Sequence, residues 1–256
     1  DTHKIGYLMY NGFYGEYDNN LNAVFGQFRA EGVTDLVLDL RYNSGGAVKS
    51  ATYLASMITG QFNGQVFAKQ QWNAKIEDYF NDNDPEQLIN RFSNSIGGNA
   101  INSLNLTKVY ILTSKSTASS SELVINGLKP YIEVVQIGDV TVGKNVGSVT
   151  LYDSPSFGKQ GRSNRHKYAM QPICFKIVNS AGFGEYQNGI SPPTPQPENL
   201  GDLGILGEPT EPLLSMAISQ ITSVGRRRMQ QPDKTFEPFK DRKSMQRFGT
   251  EMYIDK

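Results

Sequence analysis

The chain is poor in the residues that build metal centres and disulfide frameworks. Of 256 residues one is a cysteine, Cys174, and two are histidines, His3 and His166. A single cysteine closes no internal disulfide, and this set is too small for a cysteine or histidine metal cluster. No cysteine or histidine metal site is therefore expected. Cys174 falls in the apolar run Pro172-Ile173-Cys174-Phe175, where a small buried thiol is the expected role. Long apolar runs are missing as well, since nothing approaches the roughly 18–20 residues that span a bilayer. The first residues, Asp1-Thr2-His3-Lys4, carry neither an initiator Met nor the apolar segment of a signal peptide. Charge of one sign is not in excess either: 25 Lys and Arg balance 25 Asp and Glu. Nucleic acids and anionic membrane surfaces call for a basic excess, so neither is expected as a partner.

What is present is a globular composition, with 13 Tyr and 13 Phe, in which short apolar strands alternate with amphipathic helices. That alternation predicts a mixed α/β fold. Residues 5–10 read as a strand. Behind the capping residues Asp18, Asn19 and Asn20, the positions Leu21, Val24, Phe25 and Phe28 repeat at helical spacing, and Gly32 ends the helix. Residues 36–40 form a second strand running into the turn Asn43-Ser44-Gly45-Gly46, followed by a helix with Val48, Ala51, Leu54 and Ile58 on one face. Residues 80–105 turn to Asn, Asp, Ser and Gly and read as a polar loop or lid. Strands are expected again at 108–113, 133–137, 147–152 and 170–178. An extended Pro-rich connector at 192–197 and a last helix with Leu213, Leu214, Ala217, Ile218 and Ile221 close a domain over 1–225. From 226 to 256 the chain holds nine Lys and Arg against five Asp and Glu, which reads as a solvated, charged C-terminal tail.

Three constellations compete for chemistry. Gly138-Asp139-Val140-Thr141-Val142-Gly143-Lys144-Asn145 approaches a phosphate-binding loop. However, Asn145 stands where a hydroxyl should meet Mg²⁺, and residues 146–151 alternate as a strand where a helix N-terminus is required. Nucleotide binding is not expected. A Ser-His-Asp triad has no Gly-x-Ser-x-Gly turn, and His166 lies among Arg162, Arg165 and Lys167 in a surface-like stretch. The third is Ser116-Thr117-Ala118-Ser119-Ser120-Ser121-Glu122, which follows a strand and opens a helix. Such residues cap helices, with Glu at the third position. The same place suits a nucleophile, because the free amides and dipole of a helix N-terminus stabilise an oxyanion. With histidine scarce, lysine is the available base. Lys144, between Val142 and Val146, has the apolar flanks that favour a neutral amine, and Ser–Lys pairs are an established variant of triad chemistry.

At these residues the sequence resembles the tail-specific, or carboxyl-terminal processing, proteases. Ser119 lies three residues before Glu122 in a Ser/Ala-rich turn; Lys144 follows it by 25 residues in a Gly-Lys pair; and Asp39-Leu40-Arg41-x-Asn43-x-Gly45-Gly46 matches the family's glycine turn. The resemblance covers roughly residues 5–225 and implies a ClpP/crotonase-like α/β core. It also implies a serine peptidase acting near protein C-termini without a metal or organic cofactor, with Ser119 as nucleophile and Lys144 as general base. The oxyanion hole would use the backbone N–H groups of Ser120 and Gly45, with Asp39 and Arg41 supporting the turn. Ser148 stands where many members have a glutamine that binds the lysine. The substrate implied is a protein or peptide with an extended C-terminus. An exported location, in the periplasm or cell envelope, is implied too, with a PDZ domain and a membrane anchor expected outside this chain. The alternative from another class is a catalytically silent peptide-binding or scaffold domain of the same fold.

Overall fold

The computed structural model describes residues 2–223 and 251–254. In chain order the elements begin with β1 (Ile5–Met9), α1 (Asp18–Ala30), β2 (Asp35–Asp39), β3 (Gly46–Ala47), α2 (Val48–Thr59), β4 (Val66–Gln71) and α3 (Ala74–Asn83). They continue with β5 (Ile89–Arg91), β6 (Ser95–Ile96), β7 (Asn99–Ala100), β8 (Lys108–Thr113), α4 (Ser120–Leu128), β9 (Glu133–Gly138) and β10 (Val146–Val149). The last are β11 (Leu151–Tyr152), β12 (Ala169–Met170), β13 (Ile173–Asn179), α5 (Pro212–Thr222) and β14 (Met252–Ile254).

Strands β1, β2, β8 and β9 form a parallel sheet in that spatial order. Parallel sheets are covered on both faces, and β2 shows how the sequence does it. Leu36 and Leu38 point to the cluster that includes Phe25, Ala51, Leu54 and Leu123 of α1, α2 and α4. Val37 points the other way, to Leu213, Leu214 and Ala217 of α5. The period of two in the strand thus assigns its side chains to two separate cores. The second sheet has the order β3-β14-β10-β13-β4-β5 and adds Phe67, Phe175 and Ile177 to the first cluster. Helices α2 and α4 lie between the sheets, which is why α4 is buried at all nine positions and α2 at all but Lys49; a helix buried all round is a central one.

The mixed α/β reading agrees with this architecture, and two local expectations are corrected. Residues 80–105 are not simply a polar loop: they contain the end of α3 and strands β5 to β7, with Phe92 and Ile96 buried in the core. The polar residues mark turns, as at Gly97 and Gly98 with φ of 54° and 89°, while the few apolar ones anchor the segment. The charged tail expected over 226–256 is corrected at its last described residues. There β14 pairs in parallel with both β3 and β10, and Met252 is fully buried. The remainder of that segment, apart from 251–254, lies outside the described residues. Cys174 is half-buried in β13 rather than wholly enclosed, because its strand faces solvent at Ile173. No helix among the described residues is long and apolar enough to cross a membrane.

Candidate active site

The strand-to-helix turn between β8 and α4 puts Ser119 at the N-cap of α4 with φ 63° and ψ −115°. This conformation is costly for a residue with a Cβ, on the order of 1–3 kcal/mol, and it persists because the turn is held on all sides. Ser120 Oγ donates to Gly46 O at 2.7 Å, Ser121 Oγ donates to Asn43 O at 3.0 Å, and Thr117 Oγ1 donates to Leu40 O at 2.9 Å. The hydroxyls of Ser120 and Ser121 therefore tie α4 to the Asn43–Gly46 turn, and Thr117 ties the residues before the helix to Leu40 at the end of β2, whereas Ser119 differs. Ser119 Oγ is buried and has no hydrogen-bond partner.

Glu122 joins the serine turn to the lysine turn. Its Oε2 accepts the backbone N–H of Ser119 at 2.7 Å and that of Lys144 at 2.9 Å. Its Oε1 accepts Thr141 Oγ1–H at 2.5 Å and Gly143 N–H at 2.6 Å. The backbone nitrogens of Ser119 and Lys144 thus flank a single oxygen. The sequence marks Glu122 as a helix-capping residue; its reach to residues 141–144 is a tertiary fact that local spacing does not carry. Burial pushes the Glu122 carboxyl above its usual range, and the four donors pull it back only in part. Glu122→Gln sets an amide N–H₂ against two of these donors. It is expected to cost about 2–3 kcal/mol in denaturant unfolding, as an unsatisfied buried network does; a loss under about 1 kcal/mol would show that the clamp does not hold.

The glycine turn is equally specific. A Cβ on Gly45 would stand 2.6 Å from Ser119 Cβ and 2.9 Å from its Oγ, and φ there is +112°, so only glycine fits. Gly45 N–H donates to Asn43 Oδ1 at 2.9 Å. Ser120 is the first residue of α4, where backbone N–H groups have no intrahelical partner. Beneath the turn, Arg41 and Asp39 are fully buried. Arg41 Nη2 meets Asp39 Oδ2 at 2.7 Å, and Nη1 meets Glu211 at 2.7 Å and Glu198 at 3.0 Å. Burial opposes the guanidinium charge, but the bonds to Asp39 and the nearby Glu211 outweigh it and raise its pKa.

Lys144 Nζ does not meet Ser119 Oγ. It is paired with Glu251 Oε2 at 3.0 Å. Ser148 does not bind the lysine directly: its Oγ lies 3.2 Å from both Glu251 Oε2 and Met252 O. Glu251, from the segment read as a solvated tail, is the site residue that sequence reasoning missed; the apolar triplet Met252-Tyr253-Ile254 within a charged stretch was its one signal. His166 pairs with Asp153 at 3.2 Å in an exposed loop and takes no part here. The phosphate-loop candidate ends in strand β10, with no helix after Lys144. Among the described residues no group of three or more His, Cys, Asp or Glu side chains could hold a metal ion.

Comparison with known proteins finds serine peptidases. A CtpA-like serine protease candidate of Staphylococcus haemolyticus is 25% identical over 208 residues, which are 78% of this chain and 38% of that protein. The crystal structure of an S41 protease candidate from Bacteroides fragilis superposes with a TM-score of 0.71 at 27% identity, covering 88% of this chain and 56% of that one. The photosystem II D1 C-terminal processing protease shares the fold, with a TM-score of 0.51 at 20% identity over 78% of this chain and 44% of its own. The chain thus spans well under half the length of the curated relatives it matches. The profile of Peptidase family S41 covers residues 4–157, more than half of the chain, and the chain belongs to that family.

Proposed function

We propose that this domain is a serine peptidase that hydrolyses peptide bonds near protein C-termini. Ser119 attacks the scissile carbonyl; Lys144, as the neutral amine, accepts the hydroxyl proton and returns it to the leaving amine. The N–H groups of Ser120 and Gly45 stabilise the oxyanion, the latter by turning from Asn43. The observation that carries the reading is Glu122 Oε2, which accepts the backbone N–H of both Ser119 and Lys144 and so keeps nucleophile and base on one rigid frame. An unpartnered, strained serine beside a glycine that no other residue can replace supports the same assignment. The family resemblance supports an exported, envelope location and an extended protein or peptide as substrate.

One observation favours a catalytically silent peptide-binding domain instead: Lys144 is paired with Glu251 and not with Ser119. Cleavage of an unfolded protein with an apolar C-terminus, followed for wild type, Ser119→Ala and Lys144→Ala, separates the two. The peptidase reading expects activity in wild type alone; equal cleavage by wild type and Ser119→Ala overturns it.

A further inference from the structure

We infer that residues 251–254 occupy, in cis, the seat that a substrate peptide takes, so that this structure is the self-occupied, latent form of the site; the inference rests on the peptidase reading above. Strand β3 begins one residue after Gly45, and β10 begins two residues after Lys144. An extended peptide that reaches Ser119 between these two elements pairs with both of their edges. β14 is already there, in register Met252 to Gly46 and Tyr253 to Ala47 on one side, and Tyr253 to Ser148 and Ile254 to Val149 on the other. Both edges are filled.

The contacts at the entry to this strand fall on the chemical groups. The Glu251 carbonyl oxygen stands 3.1 Å from where a Gly45 Cβ would be, on the side where Ser119 also lies, and Ser119 is completely buried. The Glu251 carboxylate holds Lys144 Nζ at 3.0 Å. Lys144 Nζ is thus turned to the carboxylate and makes no hydrogen bond to Ser119 Oγ, so it is not placed to take the serine proton. Met252 fills a fully enclosed apolar position among core residues. The seat therefore fits an extended segment with a large apolar side chain at the Met252 position. A segment without a carboxylate at the Glu251 position leaves Lys144 unpaired.

The competing role for Glu251 is a permanent partner that orients Lys144, and the two roles predict opposite signs. In the full chain, Glu251→Gln is expected to raise the cleavage rate of an unfolded fluorogenic peptide about fivefold or more, because releasing a resident occupant increases the competent fraction. Tyr253→Pro, which removes a ladder N–H within β14, should do the same without opening a core cavity. In Ser119→Ala, which binds without cutting, Tyr253→Pro should tighten the affinity for a labelled extended peptide carrying Met, read by fluorescence anisotropy, by about the same factor. Thermal melting checks that both variants remain folded, and an unfolded Tyr253→Pro leaves the decision to Glu251→Gln. Slower cleavage by folded Glu251→Gln overturns the inference, and so does unchanged peptide affinity on unseating β14. If no variant cleaves while the affinity of the Ser119→Ala background still rises, the self-occupied seat stands and the peptidase reading falls.

Discussion

Replacing Ser119 with alanine is expected to lower kcat/KM on an unfolded substrate by roughly 10³-fold or more while changing unfolding stability by less than about 1 kcal/mol. The pairing of these two outcomes matters more than either alone. As an ordinary helix cap, a serine at this position would lose about 0.5–2 kcal/mol on truncation, because its oxygen would be holding an α4 amide. Here Oγ is buried without a hydrogen bond of normal geometry and faces the Glu122 N–H only as the loose half of a capping box. The backbone half of the cap, Ser119 N–H to Glu122 Oε2 at 2.7 Å, needs no side chain and survives. Alanine also keeps the Cβ and therefore the strain of φ 63°. Glycine relieves that strain, so Ser119→Gly should be about 1 kcal/mol more stable than Ser119→Ala and equally inactive. A serine whose removal costs stability but not turnover would be a cap after all. Chemical denaturation and steady-state kinetics on the same preparations decide the point.

The parts of this fold that were legible in the sequence are those in which a local period meets a two-sided environment. The strand at residues 108–113 matches β8, and the stripe Leu21, Val24, Phe25, Phe28 falls on α1. A buried parallel strand leaves a dense apolar run, and a helix on one face of a sheet leaves a stripe. The Ser119, Lys144 and Gly45 turns were picked out for a different reason, the spacing of three motifs that together resemble those of a peptidase family; of the three residues only Gly45 has its type dictated by backbone geometry. The illegible parts depend on partners far away in sequence. β5, which is short, is stabilised by pairing with β4 rather than by its own composition, so residues 80–105 read as loop. β14 is three residues long and surrounded in sequence by charge. Its reason for being a strand is the open seat between β3 and β10, and no property of Met252-Tyr253-Ile254 encodes that seat. Ser148 illustrates the same limit: its position after Lys144 points to a lysine partner, yet its hydroxyl reaches Glu251 and Met252, residues more than a hundred positions away.

The glycine turn should prove to be the most stability-sensitive part of the site, through a residue that does no chemistry. Arg41→Met is expected to lower unfolding stability by about 3–5 kcal/mol, as loss of one partner from a buried ionic cluster does, and the melting temperature by roughly 10 °C. The methionine fills much of the arginine's volume, so the loss is electrostatic rather than a cavity effect. It leaves Asp39 and Glu211, both buried, facing each other's surroundings without the guanidinium that bonds both. Tyr7 Oη, which donates to Asp39 Oδ2 at 2.7 Å, and the backbone N–H of residue 41, which donates to Asp39 Oδ1 at 3.1 Å, supply only part of the hydrogen bonding Asp39 then needs. Adding Asp39→Asn to Arg41→Met removes one of the stranded charges. The double variant should therefore lose less than the sum of the two single losses, a non-additivity expected of groups in one network. Simple addition would mean that Asp39 and Arg41 act independently. Because Leu40 O accepts Thr117 Oγ1–H and Arg41 O accepts the Ser114 hydroxyl, loosening Arg41 also loosens the turn that seats Ser119. Activity should accordingly fall at temperatures where the variant is still folded, which separates a displaced site from a smaller folded population.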